Sequence, residues 1–327
     1  PSRDVVGQSA GPHLIDREAH PKEAIQSLLS HAALVLRGGE GSLPAQVAAA
    51  RRTLPLGLGE WKRARAYPAP RPAKAGSLGL DNRYGGFRAD GSYVVKALPP
   101  APWCNVLSNE RFGTVLTERG AGFTFADNSR LKRVTAFASD PVRDQRQENL
   151  WLRDETDGQY VSAFDRALVT HGFGVSRFES EALGIRLTLD VFVDEQLPVK
   201  CFLLTVQNLA SAPRSLSVTA CVRWLLGSHL HDAAQVRCEA LGGGALARSP
   251  SFPEGAFLAF PGKKAEVSLD GAAFFGLGLM QDPPGMRQKE LSGSHRDIPA
   301  GIVRTHLTLG GGESETVCAL LGVGDPQ

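Results

Sequence analysis

This sequence predicts an all-β fold: a large antiparallel super-sandwich of two packed sheets, preceded by a short helical and extended segment. Three observations carry the prediction. From about residue 76 to the end, nearly every segment reads as a strand closed by a short turn. The run IRLTLDVFV alternates without a break, with Ile185, Leu187, Leu189, Val191 and Val193 on one face and Arg186, Thr188 and Asp190 on the other. No helical period long enough for a parallel crossover interrupts the strands, so two stacked antiparallel sheets are expected rather than one parallel sheet.

The elements follow in order. Residues 21–36, PKEAIQSLLSHAALVL, place Pro21 at a first helical position. Ile25, Leu28, Leu29, Ala32, Ala33 and Leu36 then follow at helical spacing, so a helix is predicted, stopped by Gly38-Gly39. LPAQVAAARR, 43–52, predicts a second short helix with basic residues in its last turn. Residues 54–75, rich in Pro, Ala and Arg, read as an extended linker. The domain boundary is therefore set at 75, with 1–75 the lead and 76–327 the sandwich. Within the sandwich, NLWLRDETDGQYVSAF (149–164) reads as a hairpin whose Asp157-Gly158 signals a type I′ turn. Leu216, Val218, Ala220, Val222 and Trp224 alternate as cleanly as the first run.

Composition narrows the function classes. A net charge of +2 and a pI near 8.5 argue against nucleic acid as a partner. Cys104, Cys201, Cys221, Cys238 and Cys318 are five in number, widely spaced and without a CxxC pair, which favours a reduced, cytoplasmic setting. No apolar run approaches the ~18 residues of a membrane span. The chain opens at Pro1 and stops at GVGDPQ directly after an apolar strand, so a longer parent is expected.

Glycosidic chemistry needs an acid and a second carboxylate held across one bond. Asp140, Asp144, Asp154, Glu155 and Asp157 crowd one region, but SDPVRD reads as a turn-rich loop and ETDG as a hairpin tip, where Asp is favoured for local reasons. His229-Leu230-His231-Asp232 could put two imidazoles on one face of a strand. With no third ligand evident in the sequence, it reads as a polar loop and no metal is expected. GxSxG, Walker and GxGxxG motifs are absent, so no cofactor is expected. Trp103, Trp151, Tyr160 and Trp224 lie in or beside strands, where rings fill a core or stack on sugars.

The order of short motifs from residue 78 onward is more specific. GGF is followed by DG and YV, then PAPW-N-SN-FG, GAG-T-NSR, SDPV-D and LRDE-G; later come HGFGVSRFE, EQLPVK, LSVTACVRWLLG, ARSPSFPEGAFLAF and GESETVCALLG. This series resembles the β-sandwich module of inverting glycoside phosphorylases of the cellobiose and chitobiose phosphorylase family, above all the copy in bacterial cyclic β-1,2-glucan synthases. Even RGGEGSLPAQV, 37–47, is similar to the helical segment that precedes this sandwich in the synthases. The chain departs from the pattern at Phe125, at Phe137-Ala138-Ser139 where WSN is common, and at Val161-Ser162-Ala163 where WSP is common.

The resemblance implies that a catalytic (α/α)6 barrel follows the sandwich and supplies the general acid and the phosphate site, and that this excerpt lacks a complete active site. It implies a β-glucan or oligosaccharide as ligand, the barrel of the same parent chain and a second copy in a homodimer as partners, and a parent anchored in the bacterial inner membrane. A free-standing carbohydrate-binding module is the competing expectation, and a hydrolase of the sandwich itself a third. The loop Gly227–Gln235 is expected on the acceptor side, with His229, His231, Asp232 and Gln235 as neutral donors and acceptors plus one carboxylate suited to sugar hydroxyls. Arg153 and Asp154 complete the candidate substrate-binding set, although an ion pair or hydrogen-bond anchor that orders the loop is the favoured role for them. No residue is nominated as catalytic.

Overall fold

Alternating sequence becomes alternating burial. The computed structural model describes residues 69–327 apart from 121, 138–143, 277–279, 281, 292, 295–297 and 325–327, and, nearer the N-terminus, residues 20–25, 39, 41, 42 and 44–46. Residues 22–25 and 44–46 are helical, inside the two expected helices, whose remaining residues apart from Pro21 lie outside the described set. The chain divides into two units, Pro1–Arg65 and Ala66–Gln327, and the twenty strands found among the described residues belong to the second.

The strands begin with β1 (Arg71–Pro72), β2 (Gly85–Phe87) and β3 (Tyr93–Val95), so Arg71 and Pro72, inside the stretch read as linker, pair with Glu181 and Ser180. A meander follows: β4 (Cys104–Ser108), β5 (Phe112–Thr117), β6 (Gly122–Ala126) and β7 (Arg133–Thr135). Next come the hairpin β8 (Glu148–Asp154) and β9 (Tyr160–Ser162), and then β10 (Leu168–His171), β11 (Val175–Ala182), β12 (Ile185–Val193), β13 (Val199–Asn208) and β14 (Arg214–Gly227). The chain closes through β15 (Arg237–Leu241), β16 (Gly244–Ser249), β17 (Phe252–Ala259), β18 (Ala265–Asp270), β19 (Pro299–Leu309) and β20 (Ser314–Val323).

Every described strand pair is antiparallel. One sheet has eleven strands, ordered β15-β16-β17-β20-β13-β12-β11-β10-β3-β2 with β1 on β11; the other has nine, ordered β18-β19-β14-β7-β6-β5-β4 with the β8–β9 hairpin on β14. In β12, Ile185, Leu187, Leu189 and Val191 are fully buried while Arg186 on the opposite face pairs with Glu181. A one-residue slip would exchange these faces, so the core itself fixes the register Leu189↔Leu204. The inner faces of both sheets form one apolar core that includes Leu216, Val218, Ala220 and Val222 of β14.

Inside that core the two sheets share an ion pair. Lys200 Nζ of β13 donates to Glu148 Oε2 of β8 at 2.6 Å and to Thr114 Oγ1 at 2.9 Å, while Thr124 and Thr135 donate to Glu148 Oε1 at 2.5 and 3.0 Å. Burial pushes the Lys200 ammonium below its usual pKa against the pull of Glu148. The outer face of β8, β14 and β19 carries a second cluster. There Trp151, Tyr160, Cys221 and Ile302 are covered by a short helix, Gly271–Phe275, and a 3₁₀ turn, Pro284–Arg287.

The hairpin turn differs from the expected type I′. A type I′ turn needs positive φ at both central residues, yet in the segment from Glu155 to Gln159 only Gly158 takes one, at 72°. The loop is longer: the Gly158 N–H closes on the Asp154 carbonyl at 2.9 Å and the Asp154 N–H on the Gln159 carbonyl at 2.8 Å, while the Asp154 and Asp157 carboxylates accept from the Thr156 and Gln159 N–H groups.

Candidate functional site

The charges of the β8–β9 hairpin turn inward, onto protein. Asp154 Oδ2 accepts from Arg214 Nε at 2.9 Å and Asp154 Oδ1 from the Thr156 backbone N–H at 2.8 Å. Arg153 pairs with Glu155, whose other oxygen accepts from Ser217 Oγ at 2.5 Å. Burial alone would raise Asp154 and Glu155, but these donors hold both carboxylates below their usual range. Arg153 and Asp154 are both buried, and the contacts described for them are ones that fasten the hairpin to β14. The carboxylates that crowd this sequence are thus dispersed: Asp144 accepts from Thr117 Oγ1 at 2.6 Å and Asp157 from the Gln159 backbone at 2.9 Å, while Asp140 lies outside the described residues.

The loop after β14 is built around Asp232. Leu226, next to last in β14, takes a positive φ of 47°, unusual for a branched side chain, and the pairing of β14 with β7 shifts register between Trp224 and Gly227. A 3₁₀ turn, Leu230–Gln235, follows. Asp232 Oδ2 accepts from the Ser228 and His229 backbone N–H groups at 2.7 and 2.9 Å. The His229 N–H foremost, against the opposing effect of burial, holds the Asp232 carboxylate below its usual range. Gly227 is what admits this carboxylate, since a Cβ there would stand 2.3 Å from Asp232 Oδ2. The His229 and His231 rings stack, with centroids 5.2 Å apart and planes 17° apart. Gln235 closes the 3₁₀ turn.

Leu230 and Ala233 of the same loop line a cleft of about 510 Å³ together with Ala136, Phe137, Gln145, Gln147, Arg223 and Trp224 among others. His229, His231, Asp232 and Gln235 are not in that lining. Burial lowers the Arg223 guanidinium from its usual range, and the buried Trp224 Nε1–H finds no acceptor among the described residues. Phe137 extends the cleft wall as an aromatic row: its ring centroid lies 4.9 Å from that of Phe123, which lies 5.5 Å from that of Phe125, each pair tilted by 36°. Strand alternation creates the row, because Thr124 points inward to Glu148 while Phe123 and Phe125 point out. Gly113 on the neighbouring strand leaves room for it, since a Cβ there would meet the Phe125 ring at 2.5 Å. Phe125 and Phe137, two of the departures noted in the motif series, therefore belong to one surface, and the signal available in the sequence was the outward phase of β6.

A second cleft, of about 490 Å³, is lined by Lys96, Glu118, Arg119, Asp144, Arg146 and Asp165 among others. Burial raises the Glu118 carboxyl, whose Oε2 accepts from the Trp103 backbone N–H at 2.8 Å. Glu118 was missed in the sequence because it follows a strand in TERG, with the appearance of a solvated strand end.

Residues 91–327 match the family model described as glycosyl hydrolase 94, supersandwich domain. Among curated proteins, the cyclic β-(1,2)-glucan synthase of Rhizobium meliloti (strain 1021) is 34% identical over 167 residues, covering 47% of this chain and 6% of the synthase. The N,N′-diacetylchitobiose phosphorylase of Vibrio proteolyticus is 26% identical over 269 residues, covering 74% of this chain and 34% of the phosphorylase. The chain thus spans about a third or less of the length of these relatives. Among solved structures, a bacterial glucoamylase complexed with acarbose aligns with a TM-score of 0.42 at 9% identity, over 79% of this chain and 35% of that one.

Proposed function

The chain belongs to the glycosyl hydrolase 94 supersandwich family, and on that premise we propose that it is the non-catalytic sandwich of a cyclic β-1,2-glucan synthase or inverting glycoside phosphorylase. In this reading a short lead to residue 75 is followed by the sandwich, which packs on an (α/α)6 barrel of the parent chain and shapes the glucan acceptor side. The parent sits in the bacterial inner membrane with this segment on the cytoplasmic side, and a second copy of the chain is a further partner.

The observation that carries the reading is the aromatic row Phe125–Phe123–Phe137, whose Phe137 joins Arg223, Trp224, Gln145 and Gln147 in lining a cleft. Flat rings match the apolar faces of pyranoses, and amides and a guanidinium match their hydroxyls. The hairpin carboxylates support a non-catalytic role, because Asp154 and Glu155 are each bound to an arginine rather than left to act across a glycosidic bond.

In the intact enzyme, Phe137→Ala is expected to raise the acceptor KM roughly three- to tenfold, the loss of one stacking contact, with the phosphate KM and the limiting rate unchanged. An unchanged acceptor KM, or a matching rise in the phosphate KM, contradicts the reading.

A further inference from the structure

We propose that His229, His231 and Asp232 form a binding site for one divalent transition-metal ion of the zinc, nickel or copper class, independent of the acceptor cleft. Sequence alone offered two imidazoles and no third ligand. The 3₁₀ turn supplies it, because Asp232 folds back beneath the histidines and one donor atom from each of the three residues lies within 4.8 Å of the others.

Each ligand has support of its own. Ser228 Oγ lies 2.7 Å from His229 Nδ1, and in the tautomer that carries its proton on Nδ1 the Nε2 lone pair is free for a metal. A hydroxyl in this place fixes the ring much as the carboxylate, carbonyl or water partners of metal-bound histidines do. Asp232 is anchored through Oδ2 by two backbone N–H groups, which leaves Oδ1 to face His231 Nε2 at 3.3 Å. The rings stack with planes 17° apart, and because imidazole lone pairs lie in the ring planes, one ring has to swing out of the stack for both nitrogens to meet a single ion.

The remaining adjustment is local. Donors bound at about 2.0–2.1 Å in a tetrahedron stand about 3.3 Å apart, so the cluster has to close by up to about 1.5 Å together with the swing of one ring. The His231 side chain is 76% exposed and can turn that far without disturbing the core. Two nitrogens and one oxygen suit borderline transition metals, whereas calcium and magnesium take oxygen ligands. Three protein ligands leave a fourth position for water or a ligand hydroxyl.

Isothermal titration calorimetry of the intact protein with ZnCl2, and separately with CaCl2, tests the site. One zinc site is expected, lost in His229→Ala/His231→Ala and weakened about tenfold or more in Asp232→Asn, which retains an oxygen for the Ser228 and His229 N–H groups. Calcium is expected to give no heat at this site. Absence of zinc binding, zinc binding unchanged in the double histidine variant, or calcium binding that the same variant removes would each overturn the proposal. Circular dichroism of the double variant, expected to match the parent because both imidazoles are exposed, separates ligand loss from unfolding.

Discussion

Replacing Lys200 by Met should be among the most destabilising single changes available in the sandwich. Lys200 is fully buried and joins one sheet to the other through Glu148. Without it, Glu148 keeps two threonine hydroxyls but loses its only described cation, and a carboxylate sealed between two sheets must either stay charged at high cost or take up a proton. Breaking a buried pair from one side costs about 3–5 kcal/mol. For a domain of this size each kcal/mol moves Tm by about 2–4 °C, so a fall on the order of 10 °C is expected. Adding Glu148→Gln should recover much of the loss, because the amide oxygen still accepts from Thr124 and Thr135 and no buried charge remains. Urea melts of the two single variants and the double variant give the coupling directly. A Lys200→Met cost below about 1 kcal/mol, or single-variant costs that simply add, would refute this account of the core.

Three further outcomes are expected. Burial holds the His171 imidazole down to about 4 from 6.5, so the unfolded chain takes the proton first. Stability tied to it is complete above about pH 6.5 and drains as pH falls to about 4, by up to about 3 kcal/mol, and His171→Asn should flatten that stretch of a stability-versus-pH curve. A slope unaltered by the substitution would contradict it. Gly227→Ala should expel the Asp232 carboxylate and cost about 1–2 kcal/mol, visible as faster hydrogen exchange at Ser228 and His229; unchanged exchange would show that the loop tolerates the methyl group. The purified chain should neither phosphorolyse nor hydrolyse β-1,2-glucan or cello-oligosaccharides, and turnover that Asp154→Ala or Glu118→Gln abolishes would overturn the non-catalytic role.

How much the sequence disclosed follows from which interactions are local. The period of two in IRLTLDVFV and LSVTACVRW states which side chains face the inner core; β12 shows it as alternating burial, whereas β14 keeps the phase but is buried on both faces, Cys221 lying in the second cluster. Pairing across long separations is not local: nothing near Lys200 announces Glu148, and a lysine amid CFLLTV gives no sign that its partner sits in a different sheet. The GAG signature shows the same divide. Gly120 takes a φ of 73° and packs under the Phe164 ring, and Gly122 lies over the Lys200–Glu148 pair, reasons legible only with the partners in place. The turn at Asp157-Gly158 misled because Asp154 and Asp157 bond their own neighbouring backbone, which stretches the loop beyond the two residues that the Asp-Gly pair signals. In the loop after β14, the sequence marked His229, His231 and Asp232 as notable. It could not show that Leu230 and Ala233 are the residues that line the cleft, because a 3₁₀ turn rather than a strand sets their phase.

Hydrogen exchange of the intact enzyme, with and without a saturating β-1,2-gluco-oligosaccharide acceptor, tests most directly whether this sandwich shapes the acceptor side. Protection is expected in the backbone of β6, around Phe137 and from Arg223 to Ala233, with Phe137→Ala weakening it. Protection confined to the barrel, with these segments exchanging as in the free enzyme, would contradict the assignment.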